Sequence, residues 1–253
     1  PVDWEEAGYT QEEFFLAGTA RAYLNDGEWG DDGRWNARLN PDATAPYVTR
    51  ALVRRPTDPT DFNGTVVVEW VNVSAGLDVE VDWVFTRDEL LRRGYAWVGV
   101  SAQAVGVDFL RGQPRYAQLA HPGDAFSYDI YSQAARALTD PPDSGPRPLG
   151  DLTDDVERLL ADGESQSAGR LVTYVNAVHP QVRVFDGFLV HSASRAAPLS
   201  QPGPPGSPPT PSIPGGDVPT PVARFRTDRR EPVLLFNTET DVVPRADGAP
   251  SGL

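Results

Sequence analysis

The sequence predicts an α/β fold, a mostly parallel sheet with helices on both faces. Three observations carry this reading. Short runs of β-branched and aromatic residues, such as Thr65–Val73 (TVVVEWVNV) and the stretch from Tyr95 (YAWVGVSAQ), are apolar without clear alternation. That is how a strand buried on both faces reads. Segments with helical spacing separate these runs. Strand, helix and strand in succession make β-α-β units, which build a parallel sheet covered on both sides.

The elements follow in order. Residues 1–46 are mixed and aromatic-rich, with EEFFLAGTARAY the most structured part. Pro46–Pro56 (PYVTRALVRRP) alternates like a strand and ends at a proline. Asn63-Gly64 marks a turn before the buried strand at Thr65. SAGLDVEVDW reads as a Gly-containing loop whose carboxylates form a solvated acidic face. Val84–Gly94 has helical spacing, two Arg in the last turn and Gly at the stop, all helix-end signals. A second strand starts at Tyr95. His121–Leu138 ends in a helix, and a turn-rich connection with a short helical start follows. Further strands are expected at VERLLADG, at Val182–Ser192 and at Pro232–Pro244, with a helix from Ser165 to about Val178. The segment 198–221 is dense in Pro and Gly. Such a composition packs no core, so it reads as a loop or lid-like insertion.

Composition removes whole classes of chemistry. The 253 residues suffice for a sizeable core. A net charge of −14 disfavours nucleic acid and anionic lipid as partners. No apolar run is long enough to span a membrane. There is no Cys, which excludes disulfides, thiolate metal sites and cysteine nucleophiles. All 22 basic residues are Arg, so lysine bases and Schiff bases are excluded. The acidic residues of LDVEVDW do not have the spacing of a calcium-binding helix-loop-helix, and GESQSAG lacks the Lys of a phosphate loop. No metal or cofactor is expected. Compartment and oligomeric state leave no signature.

One stretch carries chemistry. Gly163-Glu-Ser165-Gln-Ser167 lies between an expected strand and an expected helix. A nucleophile held on such an elbow needs small residues two before and two after it, because strand and helix pass within touching distance. Gly163 and Ser167 meet that need, and Leu171, Tyr174, Val175 and Val178 then fall on one helix face. The helix N-terminus directs a partial positive charge at the Ser165 oxygen. The competing reading makes Ser165 an ordinary helix N-cap.

GESQSAGRLVTYVNAVHP followed by FDGFLVHS resembles the alpha/beta-hydrolase superfamily. Within it, FNGTVVVEWVNVSAGLD, GYAWVGVSAQAVGV and HPGDAFSYDIYSQAARAL are similar to the family called "alpha/beta hydrolase domain", whose members are presumed serine esterases. The resemblance covers the chain from about residue 12. It implies a single domain over residues 1–253 that lacks its last strand and helix. It implies Ser165 as nucleophile towards a small-molecule carboxylic ester, through an acyl-enzyme intermediate. It implies an acid in the turn after VLLF, with Asp241 the first choice and Glu239 the runner-up, and an oxyanion hole from the N–H of Gln166 and that of Val73 or Ser74. In the superfamily the base histidine follows the acid. No His follows Asp241 here, so the base is expected beyond Leu253, with His191, at the end of its strand, a weak substitute. His121 and His179, each before a Pro, read as structural, with His179 as a cation suited to the end of its helix. The alternative reading is a non-catalytic hydrolase fold that binds a ligand or a protein.

Overall fold

The computed structural model describes residues 2–193, 195–200, 202 and 224–242. Most of the segment 198–221 lies outside that set, as do residues 243–253. Among these residues seven strands, β1 (Tyr9–Asn25), β2 (Ala37–Pro56), β3 (Thr65–Trp70), β4 (Ala96–Val100), β5 (Arg158–Glu164), β6 (Gly187–His191) and β7 (Val233–Phe236), form one sheet in the order β1-β2-β4-β3-β5-β6-β7. β1 and β2 make a long antiparallel hairpin, with a register shift between Arg21 and Tyr23. β2 lies antiparallel to β4. From there on β4, β3, β5, β6 and β7 run parallel.

Helices cover both faces, as the buried strands require. Val66, Val68 and Trp70 of β3 join the large cluster that includes Tyr128 and Tyr131 of α3 (Ser127–Thr139) and Leu171 of α4 (Gln166–Thr173). Val67, one residue out of step, packs on the opposite face with Trp83 and Leu90 of α1 (Val81–Arg92) and with Trp97. Alternate residues of an extended strand point to opposite faces, so one strand feeds two cores. Arg54 crosses the second face, its guanidinium 4.3 Å from the Trp83 ring and 4.5 Å from the Trp97 ring. It is neutralised by Glu80 at 2.6 Å.

The structure sharpens several expectations. α1 begins three residues before Val84 and closes at Gly94, whose φ of +72° is open to glycine. A Cβ there would also meet the Asp61 carbonyl oxygen. A further helix, α2 (Ala104–Arg111), forms where no helix was expected. The elbow helix runs from α4 through one wide turn, Tyr174–Val178, into α5 (His179–Val182). Tyr174, Val175 and Val178 are fully buried along with Leu171. Because α5 ends at Arg183 with φ +46°, β6 starts only at Gly187 and not at Val182. β7 is likewise short, and the expected strand to Pro244 gives way to the short helix α6 (Glu239–Val242).

The acidic loop is not a solvated face. The Asp78 side chain is buried, salt-bridged to Arg50 at 3.2 Å and hydrogen-bonded to Ser101. Asp82 is 1% exposed. The alternating charges meet partners on β2, just after β4 and on β6, which a sequence pattern cannot display.

Candidate active site

In a sheet of this kind, ligands bind beyond the carboxyl ends of the strands, where the strand order reverses. Here the chain steps from β3 out to β4 and then returns to place β5 on the other side of β3. The loops after β3 and β5 therefore flank one crevice. They carry Val73 and Ser165.

Ser165 is the junction of β5 and α4. Its φ is 56° and its ψ −107°, a conformation that L-residues with a Cβ rarely adopt. It is exposed, and its hydroxyl makes no hydrogen bond among the described residues. It is not a side-chain N-cap of α4. The hydroxyl of Ser167, the second residue of α4, instead ties back to the end of β5, donating to the Glu164 carbonyl at 2.9 Å and accepting the Glu164 N–H at 3.1 Å. The steric reason for small neighbours is plain. A Cβ on Gly163 would lie 3.2 Å from both Leu171 Cδ1 and Ser167 Oγ, and one on Gly169 only 2.6 Å from the Arg195 carbonyl oxygen. The backbone N–H of Ser165 donates to the His191 carbonyl at 2.8 Å, which ties the elbow to the end of β6.

The two sides of the crevice are joined by amides. The Val73 N–H donates to Gln166 Oε1 at 3.4 Å, and the Ser74 N–H to Asn72 Oδ1 at 2.8 Å. Asn72 Nδ2 in turn donates to the carbonyl and to Oε2 of Glu164, at 3.0 and 3.1 Å. The Gln166 N–H, first in its helix, has no acceptor among the described residues.

Beneath the crevice lies a set of buried acids that the sequence reading missed. Glu69 accepts the N–H groups of Asp82 (3.1 Å) and Trp83 (2.9 Å) and the indole N–H of Trp97 (3.1 Å), so it caps α1 from inside the sheet. Its register partner on β5 is Asp162. Burial pushes Glu69 up to about 8, helped by the nearby Asp82. Burial also raises Asp162 well above the usual carboxylate range, with Glu69 and Asp82 adding to the effect. Asp82 is raised by burial too, partly countered by His191. A lone Glu inside VVVEWV and a lone Asp inside LLADG were the signals available, since a charge in a strand buried on both faces needs an explanation.

The histidines divide clearly. His121 is buried, accepts the Gly123 N–H at Nδ1 (3.1 Å) and so donates from Nε2 to the Ala102 carbonyl (3.0 Å). His179 is also buried, against Phe185, and burial lowers its pKa. A cation at the helix end was the expectation for His179; desolvation instead favours the neutral ring. His191 Nδ1 lies 2.7 Å from Asp82 Oδ1, with its ring between Phe85 and Phe236. The acids expected after β7 fall in α6. Asp241 Oδ2 accepts the N–H (2.7 Å) and the hydroxyl (2.8 Å) of Thr238, whereas Glu239 is exposed. Burial pushes Asp241 up, but these bonds, Ser192 and the charge of His191 bring it below its ordinary value. Glu164, next to the serine, is raised by its partial burial and by Asp82 and Asp241. No cluster of three or more potential metal ligands occurs among the described residues, and no helix among them is long and apolar enough to cross a membrane.

A serine held on a strained strand-to-helix turn, over the switch point of a mixed and mostly parallel sheet, defines the alpha/beta-hydrolase class. The chain belongs to the alpha/beta hydrolase domain family, whose model matches residues 1–251. Among solved structures it is similar to esterase Est22, at 12% identity and a TM-score of 0.43, over 76% of this chain and 46% of that one. It is similar to a thermostable esterase from Pseudomonas putida, at 12% and 0.43, over 79% and 48%. A prolyl endopeptidase structure matches at 11% and 0.42, over 77% and 23%. The chain thus spans less than half the length of these solved chains. Curated protein sequences give no match.

Proposed function

We propose that the protein is a serine hydrolase that cleaves carboxylic esters through an acyl-enzyme. The observation that carries this is Ser165 itself, an exposed serine kept in a costly backbone conformation with its hydroxyl uncommitted. Strain of this kind persists where the surroundings over-determine it, and it concentrates at functional sites. Ser165 Oγ attacks the ester carbonyl and its proton passes to a base. The oxyanion that forms meets the N–H of Gln166 and of Val73. As the intermediate collapses, the alcohol leaves with that proton, and water then releases the acid by the same steps in reverse. Asp241 orients the base and stabilises its cation. The base is the open part. His121 and His179 are buried in backbone contacts, and among the described residues His191 bonds Asp82 and not the Ser165 hydroxyl, so the identity of the base is left to experiment.

The lack of an imidazole on Ser165 among the described residues favours a second reading, a hydrolase fold that binds and does not cleave. One experiment separates the two. The native protein is treated with a fluorophosphonate probe, and intact mass and peptide mapping are read before and after. A single adduct on Ser165 supports the hydrolase. No adduct, on protein whose mass includes no further residues, supports the binding protein.

A further inference from the structure

Gln166 presents two different amides to the crevice. Its backbone N–H opens α4 beside the nucleophile. Its side chain reaches back across to the loop after β3, where Oε1 accepts the Val73 N–H. The other end of that side chain is anchored, with Nε2 donating to Gln103 Oε1 at 2.8 Å. Gln103 Oε1 also accepts the Trp70 indole N–H at 3.0 Å, and Gln103 Nε2 donates to Asp124 Oδ2 at 3.1 Å. Asp124 accepts the Ala104 N–H at 2.8 Å and the Arg170 guanidinium at 3.1 Å. Arg170 stands one turn along α4 from Gln166, so the relay leaves the elbow helix and returns to it. Gln166 is 8% exposed, and Gln103, Asp124 and Arg170 are each 1% exposed.

The direction of every bond is set. The Asp124 carboxylate accepts only, so Gln103 must donate to it. Gln103 therefore offers its oxygen to Trp70 and to Gln166. Gln166 in turn can only donate to Gln103 and accept from Val73. Of the two N–H groups expected on this side of the oxyanion hole, Ser74 is held by Asn72 at 2.8 Å, whereas Val73 is held at the long limit of 3.4 Å. A hydrogen bond that long is weak, and a charged oxyanion outcompetes it. We propose that the Gln166 side chain is a positioning residue: held by Gln103, Asp124 and Arg170, it fixes the Val73 backbone beside the crevice through a weak bond that the oxyanion displaces. The proposal rests on the serine hydrolase reading.

The test uses the full-length protein with a p-nitrophenyl ester as substrate. Gln166→Leu keeps the bulk and removes both bonds; Gln166→Asn keeps an amide but withdraws it by one methylene, and serves if the Leu variant folds poorly. Either variant is expected to lower kcat by about tenfold or more, the scale on which oxyanion donors act, with KM within about twofold. Amide exchange at Val73 should rise by about tenfold as its acceptor is lost. An unchanged kcat, a kcat loss matched by a rise in KM, or unchanged exchange at Val73 each overturns the proposal. Ser165→Ala is the control. If it keeps wild-type turnover, the nucleophile assignment itself fails; if it is inactive while Gln166→Leu is normal, only the role of Gln166 fails.

Discussion

The backbone N–H of Ser165 is bonded to the carbonyl of His191 at 2.8 Å, so the strained backbone of Ser165 is pinned by the last residue of the neighbouring strand. His191 is itself pinned, through its ring, by Asp82 at the N-terminus of α1. Asp82 and the next residue, Trp83, donate their N–H groups to Glu69 in β3. The elbow conformation is thus imposed from one face of the sheet while α4 packs on the other.

That imposed strain has a measurable consequence. Glycine adopts φ 56°, ψ −107° without the clash a Cβ brings. Ser165→Gly should therefore raise stability by about 1 kcal/mol, the lower end of the cost of such conformations once the greater unfolded-state freedom of glycine is set against it. It should also abolish ester turnover and the fluorophosphonate adduct. Urea denaturation of the two proteins reads the first effect, and a glycine variant less stable than wild type would mean the backbone is not strained.

The elbow's two glycines should differ in a set order. A methyl on Gly163 meets side-chain atoms at 3.2 Å, which can give by a few tenths of an ångström; one on Gly169 meets a backbone carbonyl oxygen at 2.6 Å, which cannot. Overpacking costs about 1–3 kcal/mol. Gly163→Ala is expected near the lower end and Gly169→Ala at or above the upper end, measured by chemical denaturation. The reverse order would contradict the closer approach of the segment after β6 to α4 at Gly169 than of α4 to β5 at Gly163.

These predictions rest on parts of the molecule that the sequence displayed. The elbow was legible because its cause is local: a small residue on either side of Ser165 and a helical apolar face after it. The parallel strands were legible because burial on both faces leaves a continuous apolar run. The partners were not. Asp82 and His191 are 109 positions apart, and Gln103 and Gln166 are 63 apart. Nothing in LDVEVDW distinguishes a carboxylate on a solvated turn from one held by Arg50 or His191, because the partners lie on other strands. β1, at 17 residues, escaped because its hairpin with β2 leaves much of it half-exposed, without the run of apolar residues that marked the inner strands.

The buried acids should make stability depend on pH. Glu69, Asp82 and Asp162 all have carboxyls raised above their unfolded values. The folded state then binds more protons than the unfolded chain, so stability is greatest in acid and is lost as pH rises towards the raised value, about 8 for Glu69. Asp162 Oδ1 has no hydrogen-bond partner among the described residues. Asn is the isostere of its neutral form and cannot ionise. Asp162→Asn should therefore raise the melting temperature more at pH 8 than at pH 5, because the unfolded Asp is already ionised above about pH 4 and the cost of keeping the folded one neutral grows with each further unit. An equal change at both pH values would mean that the carboxyl is not held neutral by its surroundings.

The choice between Asp241 and Glu239 as the orienting acid can be decided by two amide substitutions. Asp241 is fixed by two bonds from Thr238 and kept ionised by them, and its carboxyl feels the charge of His191. Glu239 stands exposed in the first turn of the same short helix. An acid that orients a base must itself be held, since its contribution is geometric as much as electrostatic. Asp241→Asn should reduce kcat by about a hundredfold or more, whereas Glu239→Gln should stay within about threefold of wild type. Asp241→Asn also removes one acceptor from the Thr238 turn, so its melting temperature must be read alongside kcat. A large loss of kcat with Glu239→Gln alone would transfer the role to Glu239. Losses from neither would remove both from the catalytic machinery and leave Ser165 without an acid in α6.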